Sequence, residues 1–375
     1  MSERAHLEEY GFDPDYQSRA KKYERLNLRL DIGELILAAA GVSLFALYGS
    51  RPLFTELRRL VPGFWLRNAC YVTVFFLGWS ILSLPLKWKS YLIERRFDLS
   101  VQKPVSWIKD QFKSGLISLL MTLVVFSGIY AAMAWSDWWW LIAWLATSLL
   151  SLLLSFIAPL VLMPLFYRFQ PLKDEELAER LNRLAEQAGV EVIGAFTMEA
   201  GTKTRKAIGG LTGIGSTRRI ILSDTLLNNY KTEEIETVIA HELGHHVNQD
   251  IWKRILWASA TSLIAFYLTN LFLQPATEFM GLTTDIESLP IFVLLLGLIY
   301  GILNPILNWF SRKAERKADR FALELTDNPQ AQADSFIKLA QQNLSPAAPP
   351  LFKKILFHDH PSPLERVKQA RKFER

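Results

Sequence analysis

The sequence GLISLLMTLVVFSGIYAAMAW, residues 115–135, is followed after two polar residues by WWWLIAWLATSLLSLLLSFIAPLVLMPLFY, residues 138–167. Neither stretch contains a charged residue. An α-helix rises about 1.5 Å per residue, so about 20 such residues cross a hydrocarbon core that is roughly 30 Å thick. Because only Ser136 and Asp137 separate the stretches, we predict two membrane-spanning helices joined in a tight hairpin. Tryptophans on both sides of the turn are typical of the membrane interface.

Similar apolar stretches occur elsewhere in the chain. Half of the 375 residues are hydrophobic and 21% are charged, whereas a soluble domain carries more charge and divides its apolar residues into short periodic runs. A single cysteine excludes a disulfide scaffold, and the aromatic-rich composition excludes disorder and collagen-like repeats. We predict six membrane spans, at residues 32–49, 69–86, 115–135, 138–167, 255–274 and 289–310.

Basic residues are distributed unequally among the segments that flank these spans. Residues 1–31 contain six Lys or Arg and residues 87–113 contain seven, whereas residues 275–288 contain none. The segment at residues 50–68, with four Arg, is the exception. The positive-inside rule therefore predicts cytoplasmic termini and a cytoplasmic polar insert at residues 168–254. The expected location is a bacterial inner membrane, or the endoplasmic reticulum membrane in a eukaryote. The net charge of +5 is explained by this orientation, so no nucleic-acid partner is predicted.

The polar insert has the pattern of a small α+β domain. Residues 174–189, DEELAERLNRLAEQAG, predict an amphipathic helix that ends at a glycine. Two β-rich stretches follow at residues 191–198 and 217–222. The glycine-rich segment between them, residues 209–215, lacks the Gly-Lys-Ser/Thr of a phosphate-binding loop, which favours a hairpin connection.

The motif that carries chemistry is VIAHELGHHVNQD, residues 238–250. His241 and His245 are one helical turn apart, so both imidazoles can reach one zinc ion, and Glu242 lies beside the metal as a general base for water. His246 lies on another face of the helix and is interpreted as a neighbour. Gly244 costs helix stability, which indicates that another element packs closely against it. The alternative is a surface helix that matches by chance.

A catalytic zinc usually has three protein ligands, so a third is required. The fifth and sixth spans return the chain to the same membrane face at SRKAERKADRFALEL, residues 311–325. Either Glu315 or Asp319, which are again one turn apart, can bind zinc while the other accepts a hydrogen bond from a ligand imidazole. The alternative is a solvated charged helix. Farther along, in HDHPSPLER at residues 358–366, His360 or Arg366 can stabilise an oxyanion.

These motifs, with IERRFDLS at residues 93–100, IAPLVLMPLFYRFQPL at 157–172 and RRIILSDTLL at 218–227, resemble the type I CAAX prenyl endopeptidases, which are membrane zinc metallopeptidases. The resemblance covers most of the chain, which would be a bacterial-like member with six spans, one fewer than eukaryotic members. It implies an intramembrane chamber and one Zn²⁺ per chain. The implied site residues are the zinc ligands His241, His245 and Glu315, the acid/base Glu242, the acid Asp319, the C-terminal substrate and transition-state residues His360 and Arg366, and the substrate-binding pair Lys206 and Ala207, where Lys206 replaces the family's Asn.

The predicted fold class is therefore mainly α: a polytopic membrane protein of about six transmembrane helices with a small α+β, zincin-like cytoplasmic catalytic domain. The predicted function is zinc-dependent membrane endopeptidase activity on a peptide or protein substrate, which the family resemblance allows to be lipidated, in contact with the lipid bilayer. One alternative is a broad quality-control protease of membrane proteins, and another is a non-enzymatic scaffold or transporter with a vestigial zinc site. The predicted divisions are an N-terminal segment 1–31, four spans in 32–167, a catalytic domain 168–254, a two-span hairpin 255–310 and a C-terminal catalytic segment 311–375.

Overall fold

The N-terminal half of the chain consists of long helices. The computed structural model describes residues 3–213 and 215–373, so the outermost residues of the predicted segments 1–31 and 311–375, and residue 214 of the glycine-rich segment, lie outside it. The helices of this half are α1 (Glu3–Glu9), α2 (Pro14–Leu44), α3 (Ser50–Leu60), α4 (Phe64–Arg96), α5 (Pro104–Trp135) and α6 (Trp139–Ile157). A π-helical turn at Phe45–Gly49 joins α2 to α3 without a break.

The membrane region agrees with the hydropathy pattern. In the described residues, six helical segments are long and apolar enough to cross a bilayer, which confirms the predicted number. The hairpin between the third and fourth is as tight as predicted, because α5 ends at Trp135 and α6 begins at Trp139. The hydroxyl of Ser136 accepts the backbone N–H of Trp138 at 3.1 Å within this turn.

The polar insert folds as a four-stranded sheet with helices. In chain order it contains β1 (Phe169–Pro171), α7 (Glu175–Gln187), β2 (Ala195–Met198), β3 (Gly209–Thr212), β4 (Arg219–Ser223), α8 (Asp224–Leu227) and α9 (Thr232–Val247). The strand order is β1-β2-β4-β3, in which β2 is parallel to β4 and antiparallel to β1.

The glycine-rich segment differs in detail from the predicted connection. Its first half is strand β3, which pairs antiparallel with β4, so the hairpin joins β3 to β4, whereas β2 and β4 are parallel. Gly213 has a φ of +87°, and a Cβ there would lie 2.3 Å from the carbonyl oxygen of Thr217. Only glycine fits this turn.

Two more long helices and a C-terminal set complete the fold. They are α10 (Asp250–Phe279), α11 (Leu289–Thr326), α12 (Pro329–Gln342), α13 (Leu351–Phe357) and α14 (Pro363–Arg371). Buried residues of α7, β2, β4 and α9 form one core with Ala322 of α11. A second core joins Leu7 and Phe12 near the N-terminus to α11, α12 and α14. The polar segments on both sides of the α10–α11 hairpin therefore pack into one unit.

Candidate active site

Helix α9 positions the first two site residues. It begins with acids in its first turn, and Glu234 accepts the N–H of Lys231 at 2.8 Å, which stabilises the N-terminus. His241 and His245 follow one turn apart near its C-terminal end. Their Nε2 atoms lie 3.2 Å from each other, so both rings point to one location.

A close helix crossing brings the third residue to this location. A Cβ on Gly244 would lie 3.1 Å from the Cα of Ala318, so α9 and α11 approach each other closely at this glycine. The tight packing predicted from Gly244 is therefore present. Glu315, one turn before Ala318, places Oε2 3.3 Å from Nε2 of His241 and Oε1 3.3 Å from Nε2 of His245.

The arrangement of these three side chains fits a tetrahedral metal ion. Glu315 is 1% exposed, and in the described part of the chain its buried Oε2 accepts no well-aligned hydrogen bond, although Nε2 of His241 lies 3.3 Å away. This is an expensive state for a carboxylate without a cation. Bonds of about 2.0 Å to a tetrahedral zinc would separate neighbouring ligand atoms by about 3.3 Å. The two Nε2 atoms lie 3.2 Å apart, and each lies 3.3 Å from one of the two carboxylate oxygens of Glu315. Two imidazoles and one carboxylate would leave a fourth position open, as in catalytic zinc sites.

Two further carboxylates orient the imidazoles. Asp319 Oδ1 lies 2.8 Å from Nδ1 of His241, and Asp250 Oδ2 lies 3.0 Å from Nδ1 of His245. Each carboxylate can accept a hydrogen bond from Nδ1–H, which holds the imidazole in the tautomer whose Nε2 is free to bind a metal. Burial lowers the pKa of His245, but the hydrogen bonds with Asp250 and Glu315 outweigh it and raise this pKa to about 9. The same negative field favours any cation in the site.

Asp250 is a site residue that the sequence reasoning missed. It is the last residue of the VIAHELGHHVNQD stretch and the first residue of α10. Gln249, in the left-handed conformation with a φ of +55°, turns the chain between α9 and α10. This turn brings Asp250 back against His245, five residues earlier. Its only sequence signal was an acid close to the motif.

Arg366 lies on the side of His241 that faces away from Glu315. Its Nε donates to Asp319 Oδ2 at 2.9 Å, its Nη2 contacts Asp319 Oδ1, and its guanidinium lies 4.0 Å from the ring centroid of Phe336. Burial lowers the pKa of this guanidinium, but Asp319 outweighs that effect and raises the pKa. These contacts suit a residue that holds Asp319 against His241. The predicted oxyanion role stays a prediction.

His360 approaches the site from the loop between α13 and α14. Its Nε2 lies 3.2 Å from Glu315 Oε1, its Nδ1 lies 2.7 Å from Asp359 Oδ1, and half of its side chain is exposed. A cleft of about 670 Å³ between α2 and the C-terminal helices reaches both His360 and Arg366. His360 is therefore at the boundary between the three-residue cluster and open space, where it can meet a substrate.

Glu242 has no hydrogen-bond or ion-pair partner in the described residues. The carboxylate is therefore available to a water molecule or a substrate. It lies near the outer strand of the sheet, because a Cβ on Gly210 of β3 would lie 3.8 Å from Glu242 Oε2. Within the described residues, strand β3 pairs with β4 on one side and with no strand on the other, so it is the edge strand next to the general-base candidate.

Lys206 and Ala207 precede this edge strand and do not line its free edge. Lys206 Nζ pairs with Glu94 Oε1 at 2.7 Å, and the backbone N–H of Lys206 donates to Thr204 Oγ1 at 3.1 Å. The N–H of Ala207 donates to Asn343 Oδ1 at 3.1 Å. Both backbone donors are thus engaged within the protein, and β3 begins two residues later. Their predicted contact with substrate stays a prediction. The glycines from residue 209 onward had indicated a hairpin connection, where the structure has strand β3.

Comparisons with known proteins agree with this geometry. The model of peptidase family M48 matches residues 171–374, which include all three residues of the cluster. A second model, described as the CAAX prenyl protease N-terminal region with five membrane helices, matches residues 5–168. The described residues of that region contain four of the six candidate spans.

Individual relatives cover most of the chain. The metalloprotease YhfN of Bacillus subtilis is 33% identical over 84% of this chain and 75% of its own length. CAAX prenyl protease 1 of Saccharomyces cerevisiae is 27% identical over 80% of this chain and 71% of its own length. The crystal structure of Ste24p from S. mikatae matches with a TM-score of 0.85 and 22% identity, over 97% of this chain and 90% of that one.

The fold and the sequence matches thus agree on one enzyme family. The Ste24p likeness shows the fold, and the family match and the metalloprotease relative show the type of chemistry. By these matches the chain belongs to peptidase family M48 and is a metalloendopeptidase of the membrane.

Proposed function

We propose that the chain is a zinc endopeptidase that cleaves extended peptides at the membrane surface. The observation that carries this proposal is the convergence of His241, His245 and Glu315 beside an unpaired Glu242. Imidazole and carboxylate ligands suit zinc. When bound, this ion would supply Lewis-acid polarisation of the scissile carbonyl and would acidify a water molecule.

The protein's own groups then move the protons. Glu242 takes a proton from the attacking water as its oxygen bonds to the scissile carbonyl carbon. When the C–N bond breaks, the same carboxylate returns the proton to the leaving amine. His360, half-exposed at the boundary of the site, is placed to stabilise the developing oxyanion. Arg366 and Asp319 hold the His241 ring during these steps.

The edge strand supports an extended substrate. The free side of β3 can pair with a peptide backbone, and Gly210 keeps the approach to Glu242 open because it has no side chain. Several relatives are named CAAX prenyl proteases. We therefore propose a lipidated peptide as the substrate. The basic segments at residues 1–31 and 87–113 support a site that faces the cytoplasm. The relative from Bacillus subtilis supports a bacterial inner (cell) membrane as the location.

The alternative functions make different demands on the site. A vestigial zinc site in a scaffold or transporter has no need for an unpaired general base, whereas Glu242 is present and unengaged in the described residues. A broad quality-control protease would share the whole site. It differs from a prenyl-type protease only in its substrate, so the substrate test separates the two.

The decisive experiment incubates the purified, zinc-loaded protein with a prenylated peptide and with the same peptide lacking the lipid, and reads the cleavage positions by mass spectrometry. We expect cleavage of the prenylated peptide at one bond. Equal cleavage of both would favour the quality-control alternative, and cleavage of neither would contradict the proposal.

Glu242→Gln tests the chemistry separately. This variant should retain zinc and lose turnover by at least about 100-fold, because the amide cannot accept the proton. Full peptide hydrolysis by Glu242→Gln would sink the mechanism. Likewise, an unchanged hydrolysis rate in His360→Ala would remove His360 from the oxyanion role.

A further inference from the structure

Helix α13, with the sequence LFKKILF, has an unusual distribution of polarity. Its five large apolar side chains are 41–69% exposed, whereas Lys353 is 5% exposed. A helix on a water-exposed surface turns its apolar side chains inward and its charges outward. Such a group of exposed apolar side chains marks a site of contact with an apolar partner. The residues are Leu351, Phe352, Ile355, Leu356 and Phe357.

Both lysines of α13 pair with carboxylates of neighbouring helices. Lys353 Nζ lies 3.0 Å from Glu24 Oε2 of α2, and Lys354 Nζ contacts Glu365 Oε1 of α14. The lysine side chains are only 7% and 17% exposed. These pairs fix the rotation of the helix about its own axis. The apolar side chains therefore face outward in a defined orientation.

The C-terminal end of α13 is attached to the last turns of the sixth span. Asn308 Nδ2 donates to the carbonyl of Leu356 at 2.9 Å, and Arg312 Nη1 donates to the carbonyls of Lys354 and His358 at 2.9 and 2.6 Å. The uncharged part of this span ends at residue 310. These contacts place α13 at the depth where the span leaves the hydrocarbon.

The surroundings of α13 have the same depth profile. On α11, Ile306 and Trp309 before this point are exposed apolar residues, and Lys313 and Lys317 after it are exposed cations. A helix that passes from the acyl chains to the headgroups typically has exposed apolar side chains in the acyl-chain region and exposed lysines in the headgroup region. The apolar side chains of α13 are at this boundary.

We propose that α13 lies in the bilayer interface and inserts Leu351, Phe352, Ile355 and Leu356 among the lipid acyl chains. Its fifth apolar side chain, Phe357, lines the cleft beside His360. The bilayer covers this apolar surface, because the polar groups of α13 make their contacts on the protein side and because α13 is attached to a span at the hydrocarbon boundary. The loop that carries His360 follows directly and is held by the same Arg312. Bilayer contact therefore helps to place that loop. This consequence rests on the proposed role of His360, whereas the insertion itself does not.

The test measures membrane depth and is independent of peptide hydrolysis. On a Cys70→Ala background, Leu356→Cys is labelled with a nitroxide and reconstituted in phosphatidylcholine nanodiscs. Collisions with oxygen, which concentrates in lipid, are compared with collisions with a water-soluble nickel chelate. Ile302→Cys, 67% exposed on α11, is the lipid-facing control, and Glu179→Cys, whose native side chain is 68% exposed on α7, is the water-facing control.

We expect the oxygen-to-nickel ratio of the Leu356 label to exceed that of the Glu179 label several-fold and to lie below that of the Ile302 label, which is about 12 Å deeper in the span. A ratio equal to that of the Glu179 label would overturn the proposal. A label shielded from both reagents would overturn it in favour of a protein partner. If Leu356→Cys does not fold, Phe352→Cys on the same exposed surface carries the same comparison.

Discussion

Asp319 is the residue at which the metal site and the stability of the fold are most closely linked. Its carboxylate is 0% exposed and receives hydrogen bonds from Nδ1 of His241 at 2.8 Å and Nε of Arg366 at 2.9 Å. Asp319→Asn keeps the shape and one acceptor oxygen but removes the charge that balances Arg366. Breaking a buried ion pair costs about 3–5 kcal/mol. Because the Arg366 side chain is still 15% exposed, we expect a loss near the lower end, about 3 kcal/mol.

The same substitution should weaken metal binding for a different reason. Loss of the carboxylate behind a ligand imidazole reduces metal affinity by about 10–100-fold, since the ring is less firmly oriented and less basic. A chelator-competition titration measures this affinity, and thermal unfolding in detergent measures the stability. Parent affinity for zinc in Asp319→Asn would refute the assignment of Asp319 as the positioning residue of His241.

A second substitution separates the two effects. Arg366→Met removes the cation that Asp319→Asn leaves unpaired, while its side chain can still pack against Phe336. The double variant should therefore recover most of the lost stability but none of the lost zinc affinity. Recovery of zinc affinity in the double variant would mean that Asp319 acts on the metal only through Arg366, and would contradict the direct contact with His241.

Three further predictions concern the metal site. Glu315→Gln should bind clearly less than one zinc per chain in elemental analysis. The control Glu324→Gln, on the exposed side of the same helix, should bind one zinc. An unchanged zinc stoichiometry in Glu315→Gln would remove Glu315 from the ligands. Gly244→Ala should lose about 1–3 kcal/mol of stability and some zinc affinity, because its new methyl group meets the α11 backbone. Gly297→Ala is the matched control, because a Cβ there would have no neighbouring atom within 4 Å. Equal melting temperatures of the two variants would contradict the close crossing of α9 and α11. Zinc affinity should fall as the pH is lowered from about 9, by at least about tenfold per pH unit. Zinc must displace the proton that His245, with its pKa raised to about 9, holds below that pH, and the pKa of His241 is raised as well. A flat profile in buffered zinc titrations between pH 6 and pH 8.5 would argue against His245 as a ligand.

Much of this site could be predicted from the residues because its signals are local. The i and i+4 spacing of His241 and His245 places two imidazoles on one helical face wherever the helix lies in the fold. The spacing of Glu315 and Asp319 is equally local, but their division of roles was open in the sequence. The division of roles depends on the position along α9 at which α11 crosses it, and the contact between Gly244 and Ala318 sets that position.

Other site features had no local signal. Asp250 reaches His245 only because the chain reverses at Gln249, and Arg366 reaches Asp319 across 47 residues. Strand β3 was interpreted as a connection because isolated glycines indicate turns, and its pairing with β4 is visible only in the sheet. The exposed apolar side chains of α13 look like an ordinary amphipathic pattern until the partners of its two lysines are known.

By itself, the sequence determined the membrane spans and the helix that carries His241 and His245, because hydropathy over 18 to 25 residues and the 3.6-residue helical period depend on neighbours along the chain. The tertiary structure decided which carboxylate faces these two histidines, which groups orient the imidazoles, which strand has a free edge beside Glu242 and which face of α13 points outward. These properties depend on the crossing of elements that are far apart in the chain, and no local pattern encodes the height or the rotation at which two helices meet.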